Sequence, residues 1–295
     1  MLASGLASGD PGELSRRVVA AWDAFVDLAG AADLDRPSRL PGWSGREVCI
    51  HLGSWPGHRV VDTLLQSAAA GPPFEPHDAD ATNDRLVTEH RAASRDDVLT
   101  ALATARSEVD AYFASARARE LGSSPAGSPL GPLPVTTLLN AGCYELAVHA
   151  LDLAPCGAPP PPAALLQSGL AALMDVTGAL AARSGVDITV TAQTPDGGWA
   201  FRSDRTGWET TAVPAGRFSG TGVRGSVVDL LDTSAGRVNL ATLLLTRRLQ
   251  VQRLDSFLRL APLLHEVPGL PGGAALRGAV AGLGSVTKVL GRFRR

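Results

Sequence analysis

An all-α N-terminal domain followed by a smaller α+β domain is the fold class that this 295-residue sequence predicts. Three observations carry the prediction. Apolar residues recur at helical spacing through most of residues 13–183, with capping signals where helices should begin. Beyond Val186 the pattern changes to strand-like alternation punctuated by short turns. Between the two regimes, the proline cluster PCGAPPPP at 155–162 interrupts the chain before one more long apolar helix.

Taken in order, residues 13–30 place Leu14, Val18, Trp22, Phe25 and Leu28 on one helical face and end at Gly30. Pro41 and Gly42 then mark a turn, and Ser44 with Glu47 three residues later reads as a capping box. The second helix should therefore start near Gly45 and run through His51 towards Leu65. Gly71, Pro72 and Pro73 open a loop, after which a third helix fits at least part of 80–119, with Ser94 and Asp97 as a second cap. LGSSPAGSPLGPLP is loop by composition, and Thr136 or Thr137 starts the fourth helix. Four main helices so connected predict a bundle. A fifth helix at 163–183 (Leu165, Leu166, Leu170, Leu173, Val176, Leu180) should still pack on it.

In the second half, VDITVTAQ and WAFRSD alternate around the turn TPDGG, and GWETTAV follows as a third strand. GRFSGTGVRG makes a fourth, leading to a short helix at 226–232 capped by Ser226. RRLQVQ reads as a last strand and LDSFLRLAPLL as a last helix. The expected division is a four-helix bundle over 1–183, an α+β domain over 184–265 and a basic, Gly-rich tail over 266–295. The last 29 residues hold five basic and no acidic side chains, so the tail could rest on a membrane surface, although its glycines favour loose order.

Composition bounds the function. Hydrophobic residues make up 45% and charged residues 19%, with a formal net charge of −2, which gives no reason to expect nucleic acid as a partner. Arginine replaces lysine almost everywhere, Lys288 being the only lysine, which suggests a GC-rich bacterial genome. The first residues lack the basic start and apolar core of a signal peptide, and no segment reads as the roughly 20 apolar residues of a membrane span. Three cysteines, Cys49, Cys143 and Cys156, make no disulfide framework, so a cytoplasmic location is expected. Cys49 and Cys143 read as small buried hydrophobes, and Cys156 as a loop residue.

The stretch CYELAVHALDLA at 143–154 sets Glu145 and His149 one turn apart in an apolar helix. A buried carboxylate and imidazole are costly unless paired with each other, with a third side chain or with a metal ion. His51, in an apolar stretch of the second helix, is the candidate third member, and bundle cores are places where inward Glu and His side chains hold metals. Two histidines and one carboxylate with open positions suit catalytic zinc or non-haem iron. A Glu-x-x-x-His pair alone is weak evidence, because amphipathic helices carry it by chance.

LPGWSGREVCIHLG resembles the start of the second helix in the DinB-like metalloprotein superfamily. YELAVHALDLA resembles the ligand-bearing helix of its actinobacterial branch, the mycothiol-dependent maleylpyruvate isomerase family. GVRGSVVDLLDTSAGR is similar to that family's C-terminal domain, which is sterol-carrier-like, so the resemblance spans about residues 13–262. It implies a divalent metal, usually zinc, held by His51, Glu145 and His149, with Glu145 ionised and His149 neutral. Asp152 would orient His149 from behind, or else be an ordinary residue near the helix end. The implied cofactor is mycothiol, a low-molecular-weight thiol activated on the metal, and the implied partner is a small electrophilic or unsaturated substrate. Cis–trans isomerisation and S-transfer both fit that chemistry. Arg85 and Arg224 are the arginines to test for binding substrate carboxylates. His58 lies seven residues after His51 and would share its helix face, whereas His77, His90 and His265 show no supporting spacing. The alternatives are a binding protein whose sterol-carrier-like domain holds an apolar ligand, and a regulatory role.

Overall fold

The computed structural model describes residues 4–74, 78–216 and 220–253, together with 256, 258–260 and 263. The expected tail over 266–295 lies outside the described residues, as do most of the helix expected at 254–264, His77 and His265.

Among the described residues there are ten α-helices, most of them N-terminal to a mixed sheet. Helix α1 (Pro11–Ala31) starts where the Asp10 carboxylate accepts from the Gly12 N–H, and it buries the predicted face from Leu14 to Leu28. Helix α2 (Gly45–Leu52) opens on the Ser44–Glu47 capping box, in which Glu47 Oε2 accepts from the Ser44 N–H at 2.6 Å. It stops at Leu52 rather than continuing towards Leu65. Residues 53–59 turn the chain, with Trp55 and His58 exchanging backbone hydrogen bonds across Pro56, which has no N–H to extend a helix. His58 thus leaves the helix face it would share with His51, and α3 (Val60–Ala70) begins afresh.

The third helix expected over 80–119 is three helices: α4 (Ala79–His90), α5 (Arg95–Ala114) and α6 (Ala116–Leu121). The Ser94–Asp97 capping box starts α5, and the extended backbone of Ser115 ends it. Within the stretch read as loop, β1 (Pro125–Ala126) and β2 (Leu133–Pro134) form a two-residue antiparallel ladder. Helix α7 (Val135–Asp152) begins one residue before Thr136, and after the proline cluster α8 (Ala163–Arg183) follows at the expected bounds.

The sheet comprises β3 (Ile188–Thr194), β4 (Gly197–Asp204), β5 (Gly207–Val213) and β6 (Gly222–Arg224). Helices α9 (Val227–Ser234) and α10 (Leu240–Leu245) and strand β7 (Gln250–Gln252) complete the described chain, α10 being unforeseen. Strand order is β5-β4-β3-β6-β7, antiparallel except that β6 runs parallel to β3. The Ser226 side chain caps α9 by accepting from the Asp229 N–H.

Helix α8 holds the two halves together. Leu165, Leu166 and Ala172 join the core of the helical half, whereas Leu170, Met174 and Leu180 join the core over the sheet. Two of its glycines permit the close approach. A Cβ on Gly169 would lie 2.3 Å from that of Ala147, and one on Gly178 would lie 2.9 Å from the Trp208 ring. Contrary to the sequence reading, α8 is long and apolar enough to cross a membrane, but most of it is buried against α7 and the sheet, as in a core helix. Truncating Leu170, which is fully buried, to alanine would cost about 2–5 kcal/mol.

Candidate metal centre

Helix α7 packs on α1 and α8 and buries most of its residues, so side chains on it have little freedom. One turn apart on it, Glu145 and His149 face His51 from the last turn of α2. Both histidines turn Nε2 towards Glu145 Oε2, at 3.9 Å from His51 and 3.5 Å from His149. The two rings meet edge to face with centroids 5.2 Å apart. One ligand-capable atom from each of the three residues lies within 4.8 Å of the others. A tetrahedron with bonds of about 2.0–2.1 Å has edges of about 3.3–3.5 Å, matched by the 3.5 Å pair and a few tenths of an ångström shorter than the 3.9 Å pair. The donor set, two imidazole nitrogens and a carboxylate oxygen, therefore fits a divalent metal in both kind and spacing. The Glu145 side chain keeps 40% exposure, which leaves that side of the cluster open.

Each Nδ1 is anchored from outside. His149 Nδ1 lies 3.0 Å from Asp152 Oδ2, and His51 Nδ1 lies 3.0 Å from Asn83 Oδ1. Asp152 is wholly buried and receives Arg237 as a fork, with Nε at 3.1 Å from Oδ1 and Nη2 at 2.9 Å from Oδ2. Arg237 comes from the turn after α9, so the second half of the chain braces the first. Two further contacts reinforce that seam: Arg39 Nη2 donates to Asp232 Oδ2 at 2.8 Å, and the Tyr144 hydroxyl lies 3.1 Å from Ser234 Oγ.

Electrostatics follows from these partners. Burial alone would raise the Glu145 carboxyl, but the adjacent His149 and His51 imidazoles outweigh it and hold the group well below the usual carboxylate range. Burial alone would lower His149, but Asp152 and Glu145 together raise it. Asp152 is likewise kept low, against the effect of burial, by His149 and Arg237. Without a metal, Glu145 and Asp152 both favour the protonated form of His149.

Of the other residues singled out in the sequence, Arg85 lies on α4 with its side chain 59% exposed, 3.6 Å from Glu89. Arg224 is half-buried on β6, in register with Gln193 and Gln250. No contact among the described residues ties either arginine to the triad. Cys49 and Cys143 are buried, with thiols pushed up to about 12 by burial, and Cys156 is buried in a short 3-10 turn rather than in open loop. His90 stacks on Trp55 with ring centroids 4.0 Å apart. Sequence reasoning gave no role to Asn83 or Arg237. Arg237 stands at the end of the quoted segment GVRGSVVDLLDTSAGR, where no spacing rule links it to Asp152, 85 positions away.

Residues 15–154 match the family model described as the mycothiol maleylpyruvate isomerase N-terminal domain. A crystal structure of the mycothiol-dependent maleylpyruvate isomerase is similar to the chain at 16% identity and a TM-score of 0.49, over 77% of this chain and 90% of that one. A crystal structure of a histidine-to-alanine mutant of that enzyme is similar at 15% identity, with the same TM-score and coverage. No curated protein matches the chain. The span that matches the mycothiol maleylpyruvate isomerase N-terminal domain contains His51, Glu145, His149 and Asp152.

Proposed function

We propose that this protein is a metal- and thiol-dependent enzyme of the isomerase or S-transferase type, acting with mycothiol on a small electrophilic molecule. One observation carries the reading. His51 Nε2, His149 Nε2 and Glu145 Oε2 converge from two helices, while each histidine's other ring nitrogen is held by a separate partner. A pair of salt-bridged residues would need no such anchoring, whereas a ligand set does. The match of residues 15–154 to the mycothiol maleylpyruvate isomerase N-terminal domain supports thiol-dependent isomerisation as the reaction.

In this reading, His51, Glu145 and His149 hold the metal, and the exposed side of Glu145 faces the substrate. When bound, a divalent ion such as zinc would lower the proton affinity of a thiol in its open position and so supply a thiolate at neutral pH. Asp152 keeps His149 with its proton on Nδ1 and its lone pair on Nε2. Arg237 neutralises the Asp152 charge, so the anchor remains an anion without raising the net charge of the pocket. Addition of the thiol sulfur to an activated double bond, rotation about the resulting single bond and loss of the thiol amount to cis–trans isomerisation. Release of the adduct instead amounts to S-transfer. Arg85 and Arg224 are proposed as partners of substrate carboxylates. The finer architecture proposed is a DinB-like four-helix bundle over 1–183, built mainly on α1, α2, α5 and α7, with a sterol-carrier-like domain over 184–265.

The test incubates purified protein with mycothiol and maleylpyruvate and resolves the products by chromatography. Thiol-dependent isomerisation or adduct formation, lost in Glu145→Gln, is the expected result. No turnover with any thiol, together with an apolar molecule co-purifying with the protein, would move the assignment to a binding protein.

A further inference from the structure

Asn83 heads the buried stripe of α4. Asn83, Leu86, Val87 and His90 follow the i, i+3, i+4, i+7 spacing of a single helix face. Leu86 and Val87 are buried, and His90 stacks on Trp55, in the turn that follows α2, with an interplanar angle of 17°. Helix α4 packs against α2, which brings the polar head of the stripe, Asn83, against His51.

The chemistry of that contact is one-sided. An amide oxygen only accepts, so His51 Nδ1 donates to Asn83 Oδ1 across the 3.0 Å between them. A neutral imidazole protonated on Nδ1 carries its lone pair on Nε2, the atom turned towards Glu145 Oε2. Free imidazole in a histidine side chain prefers the opposite tautomer, so the contact selects a minor form and fixes the ring plane. His149 obtains the same orientation from a carboxylate backed by an arginine, whereas His51 obtains it from a neutral amide. The pocket thereby gains a second oriented nitrogen without a further negative charge.

We infer that Asn83 is a positioning residue: it locks His51 in the Nδ1–H tautomer and aims Nε2 into the triad, and α4 serves as the arm that carries it. The purpose of the lock rests on the metal reading above, but its existence does not. The test therefore has two arms on wild type, Asn83→Leu and Asn83→Asp. In metal-free protein labelled with nitrogen-15, long-range imidazole correlation spectra at alkaline pH should show His51 protonated on Nδ1 in wild type and in Asn83→Asp. In Asn83→Leu the Nε2-protonated form should take over. Competition against a chromophoric chelator should show zinc bound roughly 10–100-fold more weakly by Asn83→Leu, with most of the loss restored in Asn83→Asp. Leu86→Ala, which removes buried apolar surface from α4 but keeps Asn83, should lower the Tm and leave the tautomer in place in the folded protein. Wild-type tautomer and wild-type zinc affinity in a folded Asn83→Leu would overturn the inference. Wild-type protein that binds no zinc would sink the metal reading, and the spectra would still decide the lock.

Discussion

Two carboxylates, Asp152 and Asp175, are each wholly buried where the helical half meets the second half, yet their surroundings give them opposite character. Asp152 sits between His149 and the Arg237 fork, partners that can carry positive charge, and its carboxyl is lowered despite burial. Asp175 on α8 accepts from the Leu6 N–H at 2.9 Å, Trp208 Nε1 at 2.9 Å, Thr210 Oγ1 at 2.8 Å and Asn140 Nδ2 at 3.3 Å, all neutral donors. Burial pushes its carboxyl up, and the donors only partly offset that. One carboxylate is favoured as an anion beside the candidate metal centre; the other ties the N-terminal segment, α7 and β5 to α8. Burial alone therefore does not set the charge of an acid, whereas the charge of its partners does.

The comparison can be broken in a defined order of effect. Glu145→Gln removes the anionic ligand itself, so zinc affinity should fall by more than the roughly 10–100-fold expected for an outer partner, and thiol-dependent turnover should disappear. Arg237→Ala leaves Asp152 buried beside His149 alone, and urea denaturation of the metal-free protein should show a loss of about 3–5 kcal/mol. Arg237→Lys keeps the charge but not the fork, and should recover only part of that loss. Asp152→Asn should weaken zinc binding about 10–100-fold, measured by chelator competition. Asp175→Asn should leave zinc affinity unchanged and cost about 1–2 kcal/mol, because the same neutral donors lose part of their acceptor. Equal effects of the two aspartate substitutions on zinc would remove the distinction drawn between them.

The smallest effect is that of pH. The folded, metal-free protein holds the His149 proton more tightly than the unfolded chain, whose value is near the ordinary 6.5. That proton's contribution to stability is therefore full below about pH 6.5 and is lost as pH rises through the raised folded value. Metal binding runs the other way, since His149 must be neutral to ligate. Zinc affinity should climb about tenfold per pH unit below the folded value and level off above it, with about one proton released per zinc in calorimetry done in two buffers.

Local signals were legible in the sequence wherever the physics is local. Both capping boxes, Ser44 with Glu47 and Ser94 with Asp97, start the helices they predict, because the pairing closes within three residues. The bounds of α8 and of β5 also agree with the reading, since periodicity and flanking turns define them. The break at Gly53 was missed although Pro56 and Gly57 announce a turn, because apolar residues continue on both sides of it. The division of 80–119 was missed for a similar reason: Ser115 ends α5 by its backbone conformation rather than by a glycine or proline. At the site, Glu145 and His149 could be paired from sequence because one helical turn joins them. Asn83 and Arg237 could not, because they reach His51 and Asp152 only after α4 and the α9 turn have packed.

The central claim is that His51, Glu145 and His149 form a metal site, and elemental mass spectrometry of purified wild type beside His149→Ala tests it most directly. The account predicts about one divalent metal per wild-type chain, with zinc as the expected ion, and none in a folded His149→Ala. Wild type without metal even after reconstitution, or metal retained in the variant, would contradict it.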